Sequence, residues 1–159
     1  MTQPLWTPTR ERIEQANISR FLDYVRREWD PHVSTQQDLY QWSVDHPEKF
    51  WPMVWAFCGI KASHTWDKVL VDGGKMPGAK WFAGSRLNFA ENLLRHRDER
   101  AALVFRSEHG ERVALSYKEL YRQVAGLADA LRRSGVTVGD RVAGFMPNRS
   151  EAVIGMLAA

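Results

Sequence analysis

All seven tryptophans of this 159-residue chain lie at or before Trp81, and this uneven distribution is the strongest constraint on its fold. After His96 the sequence changes to a regular succession of strand-like runs and helical stripes. The stretch between, residues 81–96, joins two different compositions. The sequence therefore predicts two differently built regions that meet within this stretch.

The region before the stretch is predicted to be mainly helical. Residues 1–16 are polar and contain prolines, so we expect an extended arm there. Asn17 is a residue type that favours a helix N-terminus, and Pro31 is expected to end the helix that follows. Its predicted apolar face consists of Ile18, Phe21, Leu22, Val25 and Trp29.

Capping signals divide the rest of this region into two more helices. Thr35 and Asp38 have capping-box spacing, and Asp45 with Glu48 repeats it. Gly59 is the expected C-terminal stop. The tryptophans of these helices are interpreted as core packing, which is far more common than a ligand box.

A strand, a loop and a short helix are predicted next. Residues 65–72 form a candidate strand, and a loop with glycine and proline runs over 73–80. Asn88 is the candidate cap of a helix over 89–96, after a loop. The charged residues 95–100 are expected to form a surface link.

From residue 101 the pattern is typical of alternating strands and helices. The runs 101–106 and 112–115 predict a hairpin, because a turn with glycine separates them. Ser116 to Glu119 has the sequence of a full capping box, and the helix it begins is expected to end at Gly135. Residues 141–146 predict a buried strand.

A last helix is expected after Asn148 and Glu151, which have cap spacing. It reaches Ala159 inside an apolar run without a stop signal. We therefore expect a truncated segment whose fold class is α/β: a helical N-terminal region followed by the beginning of an α/β domain.

Composition excludes several functional classes. The net charge of +3 is small and interspersed, which argues against a nucleic-acid surface. A single cysteine, Cys58, excludes an internal disulfide framework and suits a reducing compartment. No signal peptide or membrane-spanning run is found, so the expected location is the cytoplasm.

The loop from Gly73 to Lys80 nearly matches a phosphate-binding loop. That motif needs a lysine and then a serine or threonine directly after its second glycine, so that backbone amides and the lysine ammonium surround the phosphates. Here Ala79 holds that position and Lys80 comes one residue late. A surface loop is the preferred interpretation.

Cys58 and His64 are the nearest pair of soft metal ligands. No second pair has metal spacing, so a zinc site is not predicted. Cys58 lies in a predicted apolar helix and is interpreted as core rather than as a nucleophile. The remaining histidines are scattered in loops or at helix ends: His32, His46, His96 and His109.

Three segments nevertheless carry a family resemblance. The chain resembles the N-terminal part of acyl-CoA synthetases of the adenylate-forming superfamily, and within them the branch that activates acetoacetate. The segments are Asp38–Val44 with Phe50-Trp51 and Gly59-Ile60, then Trp81–His96, then Leu115–Leu120 with Gly139–Val142, Met146–Asn148 and Met156–Ala159. The second segment is the most discriminating, through Ser85-Arg86 and Glu91–Leu94.

The resemblance implies a reaction that uses ATP, Mg²⁺ and coenzyme A to convert a carboxylate into its thioester through an acyl-adenylate. It places an N-terminal helical region at residues 1–98 and the start of the AMP-binding domain at 99–159. The family's nucleotide loop, ribose-binding Asp and catalytic Lys have no counterpart here, so no catalytic, cofactor-binding or metal residue is assigned. Small molecules are the expected partners, without nucleic acid or membrane.

Two alternatives remain open. The first is a relative that activates acetate or propionate, because substrate choice depends on pocket residues that this chain lacks. The second is a non-enzymatic interaction module, which the last helix without a stop signal disfavours.

Overall fold

The computed structural model describes residues 5–159, which form two compact units. The first unit ends at Arg86, and the second runs from Leu87 to Ala159. This division lies inside the stretch where the two compositions meet. The domain boundary expected after residue 98 stays a prediction.

The chain begins with a helix where an extended arm was predicted. Helix α1 spans Arg10–Gln15, and the Thr9 hydroxyl accepts a hydrogen bond from the Arg12 amide. Side-chain pairs four residues apart support it: Arg10 with Glu14 at 2.8 Å, and Gln15 with Glu11 at 3.1 Å. The arm prediction is therefore wrong for α1, and residues 1–4 lie outside the described residues.

Three further helices build the core of the first unit: α2 (Asn17–Glu28), α3 (Gln36–Asp45) and α4 (Pro47–Phe57). Each contributes apolar side chains to one cluster, as their helical periodicity requires. The buried members are Phe21, Val25, Val33, Leu39, Trp42 and Met53. Trp42 is buried in this cluster, as core packing predicts, whereas Trp51 is 43% exposed and packs against Phe50 and Trp81 outside the buried core.

The predicted capping box of α3 is confirmed. The Thr35 hydroxyl accepts from the Asp38 amide at 3.1 Å, and the Asp38 carboxylate accepts from the Thr35 amide at 2.8 Å. The repeat at Asp45 and Glu48 is wrong: Asp45 is the last residue of α3. Pro47 is the first residue of α4, a position where proline is well tolerated, and His46 precedes it.

Two other cap predictions have opposite outcomes. Gly59 ends α4 as predicted, with φ of +60°, because Gly59 and Ile60 donate backwards to the Ala56 and Trp55 carbonyls. Asn17 does not cap α2: it is already the first helical residue, and Ala16 precedes it without a side-chain acceptor.

A small hairpin completes the first unit. Strand β1 (Lys68–Val71) lies within the predicted strand and pairs antiparallel with β2 (Lys80–Ala83). Residues 81–83 were predicted to be part of a loop, whereas the structure places them in β2. A run of four residues is too short to show the alternation of apolar and polar side chains that predicts a strand.

The second unit contains a helix, a hairpin and two more helices. These are α5 (Phe89–Leu93), β3 (Ala101–Arg106), β4 (Arg112–Ser116), α6 (Tyr117–Arg133) and α7 (Ser150–Ala158). Its core consists of Leu94, Leu120, Val124, Ile154 and Leu157. The hairpin is confirmed, as is the stop at Gly135, whose φ is +87°.

Three local predictions in this unit need correction. Helix α5 ends at Leu93 rather than at residue 96. Ser116 caps α6, but the Glu119 carboxylate binds Arg122 and Gln123 rather than closing a full box. Asn148 caps nothing, because Arg149 is the residue that precedes α7.

The predicted buried strand at 141–146 is also wrong. The segment has no regular secondary structure and is exposed throughout. Its apolar character matches a strand, but no other strand of the described chain pairs with it, and a strand requires a partner for its backbone hydrogen bonds. The predicted fold class is confirmed as a mixture of helices and small sheets.

Candidate functional site

The loop that nearly matched a phosphate-binding motif connects two strands. It runs from β1 into β2, so no helix N-terminus directs its amides towards a phosphate. Lys75 already pairs with Asp72 at 3.1 Å, and Lys80 lies opposite Val71 in the hairpin. The loop therefore lacks the strand–loop–helix context of a phosphate cradle.

Cys58 is exposed, in contrast to its predicted place in the core. It is the C-cap residue of α4, at the end of the helix rather than on its buried face. The His64 imidazole lies 3.7 Å from the Asp67 carboxylate. Residues 5–159 contain no group of three histidine, cysteine, aspartate or glutamate side chains that could hold a metal ion.

The other histidines take separate structural positions. The His32 backbone amide donates a hydrogen bond to the Asp30 carboxylate, and the His46 ring packs 6.2 Å from the Trp42 ring. The His96 ring lies 5.9 Å from Tyr117, and His109 lies in the turn between β3 and β4.

The end of the first unit contains a strained turn that sequence reasoning missed. Phe82, at the third position of β2, has φ of +48°, in the left-handed region that bulky residues avoid. Its ring packs 4.9 Å from Trp55 and 5.1 Å from Trp66, and those two rings are 5.1 Å apart. Each ring pair contributes about 0.5–1.5 kcal/mol, so the two pairs of Phe82 together give about 1–3 kcal/mol, which is comparable to the backbone strain of about 1–3 kcal/mol.

Two residues further on, Gly84 has φ of +88° beside Asp67. A Cβ atom at this position would collide with the Asp67 carboxylate. The backbone then turns so that Arg86 and His64 exchange hydrogen bonds at 2.9 and 3.3 Å. Residues 82–86, near the start of the segment Trp81–His96, thus form a tightly fixed turn, and Gly84 is the signal that could have revealed it.

The charged residues 95–100 also support the start of helix α6. The Arg100 carbonyl accepts from the Tyr117 amide, and the Asp98 carbonyl accepts from the Lys118 amide, both at 3.0 Å. These bonds satisfy first-turn donors of α6 that would otherwise lack partners. The Arg100 guanidinium also lowers the pKa of Asp98 by hydrogen bonding to its carboxylate.

None of the described arrangements assembles a nucleophile with a base, or a nucleotide loop with its lysine. The described residues instead provide structural support. The first unit has a hairpin that packs against aromatic rings, and the second has a hairpin followed by a capped helix. No helix among residues 5–159 has the length and apolar character needed to cross a bilayer.

Two family descriptions match the chain. Residues 36–93 match "Acetyl-coenzyme A synthetase N-terminus", and residues 89–159 match "AMP-binding enzyme". The first covers α3 to α5, and the second begins at α5 and continues to the end of α7. Together they include the strained turn and the α6 cap.

Individual relatives agree with this match. The chain is 44% identical over 158 residues to the acetoacetyl-CoA synthetase of Danio rerio, which covers 98% of this chain and 23% of that protein. It is 39% identical over 156 residues to the acetoacetyl-coenzyme A synthetase of Rhizobium meliloti, with coverages of 98% and 24%.

A solved structure has the same fold. The acetoacetyl-CoA synthetase from Streptomyces lividans superposes with a TM-score of 0.83 at 40% identity, over 99% of this chain and 25% of that one. The chain spans about a quarter of the length of the relatives it matches. It belongs to the acyl-CoA synthetase family of AMP-binding enzymes, in which it corresponds to the N-terminal part of acetoacetyl-CoA synthetases.

Proposed function

We propose that this chain forms the N-terminal region of an ATP-dependent acetoacetate–CoA ligase. The observation that supports this most strongly is the similarity to acetoacetyl-CoA synthetases over 98% of the chain at 39–44% identity. In this proposal, residues 1–98 are the N-terminal helical region and residues 99–159 begin the AMP-binding domain. The whole enzyme acts in the cytoplasm on small molecules.

The proposed reaction has two steps. A carboxylate oxygen of acetoacetate attacks the α-phosphorus of ATP, and pyrophosphate leaves with its bonding electron pair. The sulfur of coenzyme A then attacks the acyl carbon, AMP leaves, and the thiol proton is released. Both steps depend on positioned phosphates and stabilised charge, because the reacting groups are anionic.

Residues 5–159 contribute structural support to these steps and no reacting group. Mg²⁺ belongs with ATP in such a reaction, but residues 5–159 offer no cluster of ligands that fits it. The contribution of this segment is to fold two units with their own cores, on which the remainder of the longer enzyme packs.

The test is ATP–pyrophosphate exchange with the longer protein that contains this segment. Acetoacetate is expected to support exchange well above acetate and propionate. Stronger exchange with acetate or propionate would instead assign the protein to the short-chain acid branch, and no exchange with any acid would contradict an adenylating function.

A second arm uses the 159-residue chain alone. It is expected to show no exchange above background, because the family's nucleotide loop and catalytic lysine have no counterpart in it. Exchange by the segment alone would contradict the assignment of its residues to framework.

A further inference from the structure

The first unit contains an apolar groove that none of the features above uses. It has a volume of about 530 Å³, within the range of about 300–1,000 Å³ that is typical of small-molecule pockets. Helix α1, helix α2 and the start of α3 form its walls. Two of its lining residues, Leu22 and Leu39, also take part in the core packing of this unit. The groove therefore opens directly onto the core of the first unit.

Large apolar side chains along the walls of the groove are open to solvent. Ile13 of α1 and Ile18 of α2 are each about half exposed, and Trp6 is 67% exposed. Helical spacing puts Ala16 on the same face of the chain as Ile13, and Leu22 on the same face as Ile18. Contiguous exposed apolar side chains of this kind mark binding sites more often than ordinary surface. A ligand of this groove therefore needs an apolar part.

Arg12 gives the groove a positive charge, and it alone is charged among the described lining residues. Its Cζ atom lies 5.6 Å from the centre of the Trp6 ring, which places the guanidinium beside the apolar wall. No carboxylate of residues 5–159 forms an ion pair with it. The acidic side chains of the same helix, Glu11 and Glu14, bind other residues of α1 instead. The Arg12 guanidinium is therefore available to an anion from solution.

The hydroxyl groups that line the groove already have partners within the chain. The Ser19 hydroxyl donates to the Ile13 carbonyl at 2.6 Å. The Ser34 hydroxyl donates to the Asp38 carboxylate at 3.0 Å, and the Thr35 hydroxyl accepts from the Asp38 amide at 3.1 Å. A bound molecule therefore needs few polar groups of its own apart from one that pairs with the guanidinium.

We propose that this groove binds a monocarboxylate with an aliphatic tail. The tail packs against Ile13 and Ile18, and the carboxylate accepts charge-assisted hydrogen bonds from Arg12. The unpaired positive charge selects an anion over a neutral or cationic amphiphile, and the apolar walls select an aliphatic tail over a polar one. The proposal does not depend on the proposed ligase function, because acetoacetate has no aliphatic tail that could fill the groove.

The test is titration of the isotope-labelled 159-residue chain with octanoate, followed by the methyl NMR signals of Ile13 and Ile18. We expect saturable shifts with a Kd on the order of 1 mM or tighter. Each methylene added between hexanoate and octanoate should tighten binding by about fourfold, which corresponds to about 0.8 kcal/mol. Acetoacetate should produce no saturable shift, and acetoacetate binding as tight as octanoate binding would contradict the role of the tail.

Octanamide separates the contribution of the charge from that of the tail. It has an apolar tail of the same length and a neutral head, so it should bind the unchanged chain about tenfold more weakly than octanoate does. Arg12→Gln should weaken octanoate binding by about tenfold and leave octanamide binding unchanged, because it removes the charge-assisted contact. Equal affinity of the unchanged chain for octanoate and octanamide would overturn the proposal without any variant.

Arg10→Gln is the matched control. Arg10 lies on the same helix, pairs with Glu14 at 2.8 Å and does not line the groove. Its replacement should leave octanoate binding unchanged, and amide NMR spectra of both variants verify that they fold. The absence of saturable shifts at Ile13 and Ile18 would overturn the proposal, as would an equal loss of octanoate affinity in Arg10→Gln and Arg12→Gln.

Discussion

Two separate features of the structure restrict position 84 to glycine. Its φ of +88° disfavours any residue with a Cβ atom, and the Asp67 carboxylate occupies the space where that atom would lie. The hydrogen bonds between His64 and Arg86 follow directly after this turn. The effect of a single methyl group at position 84 is therefore large for an exposed residue.

We predict that Gly84→Ala lowers the free energy of unfolding by about 2–4 kcal/mol, the sum of backbone strain and steric overlap. Urea denaturation followed by tryptophan fluorescence measures it, because all seven tryptophans belong to the first unit. Gly126→Ala, within α6 and with open space around its Cα, is the matched control. There the same change should stabilise the helix by about 0.5–1 kcal/mol, which far-UV circular dichroism can measure. A loss of stability at both sites would contradict this account.

A second residue-scale prediction concerns acid stability. Hydrogen bonds from Arg122 and Gln123 lower the pKa of Glu119 to about 2, from an ordinary value of 4.5. Because the folded pKa lies below the unfolded one, the carboxylate contributes stability above pH 4.5, which is lost as the pH falls towards 2.

Glu119→Gln should therefore flatten the dependence of stability on pH between about 4.5 and 2, while the unchanged chain loses stability there. Thermal melts at a series of pH values, followed by far-UV circular dichroism, measure this slope. Glu108→Gln, in the exposed hairpin turn, is the matched control and should keep the original slope. An unchanged slope in Glu119→Gln would show that the hydrogen bonds to Arg122 and Gln123 do not persist in solution.

At the scale of elements, helix α4 connects both parts of the first unit. Met53 is 2% exposed in the core shared by α2, α3 and α4. On the same helix, Trp55 packs against Trp66 and Phe82 of the hairpin region. A cavity at Met53 should therefore destabilise the helix that supports the hairpin.

We predict that Met53→Ala costs about 2–5 kcal/mol, as expected for a large-to-small change in a packed core. The measurement is the urea midpoint from tryptophan fluorescence. Met76→Ala, a fully exposed methionine on the loop between β1 and β2, should change stability by about 0.5 kcal/mol or less. Equal effects of the two substitutions would contradict the placement of Met53 in the core.

At the scale of the whole molecule, the apolar segment 141–146 is unpaired and exposed. Phe145 is fully exposed, and Val142 and Met146 are each 46% exposed. Strands β3 and β4 pair only with each other among residues 5–159, so each has a free edge as well. Exposed apolar segments and free edges favour association with other chains.

The isolated 159-residue chain is therefore expected to associate as its concentration rises. Sedimentation velocity should show a mass above 18.3 kDa, and Phe145→Asp should return the chain towards that mass. Met76→Asp adds the same charge at an exposed site of the first unit and should not reduce association. A monomer at all concentrations would contradict the prediction.

The sequence by itself determined the features whose partners lie a few residues apart. The Thr35–Asp38 box, the stops at Gly59 and Gly135 and the β3–β4 hairpin all depend on hydrogen bonds within one turn or across a short loop. Local residue types specify such bonds directly. The family resemblance was equally accessible, because it depends on residue identity rather than on position in space.

Only the tertiary structure decided what depends on distant partners. Phe82 adopts a strained backbone because rings 16 and 27 residues away pack on it, and residues 141–146 remain irregular because no described strand pairs with them. Arg149 packs on the Phe105 ring across 44 residues, a separation at which sequence spacing carries no information about contact. In each case the deciding term is a long-range contact, which a local pattern cannot encode.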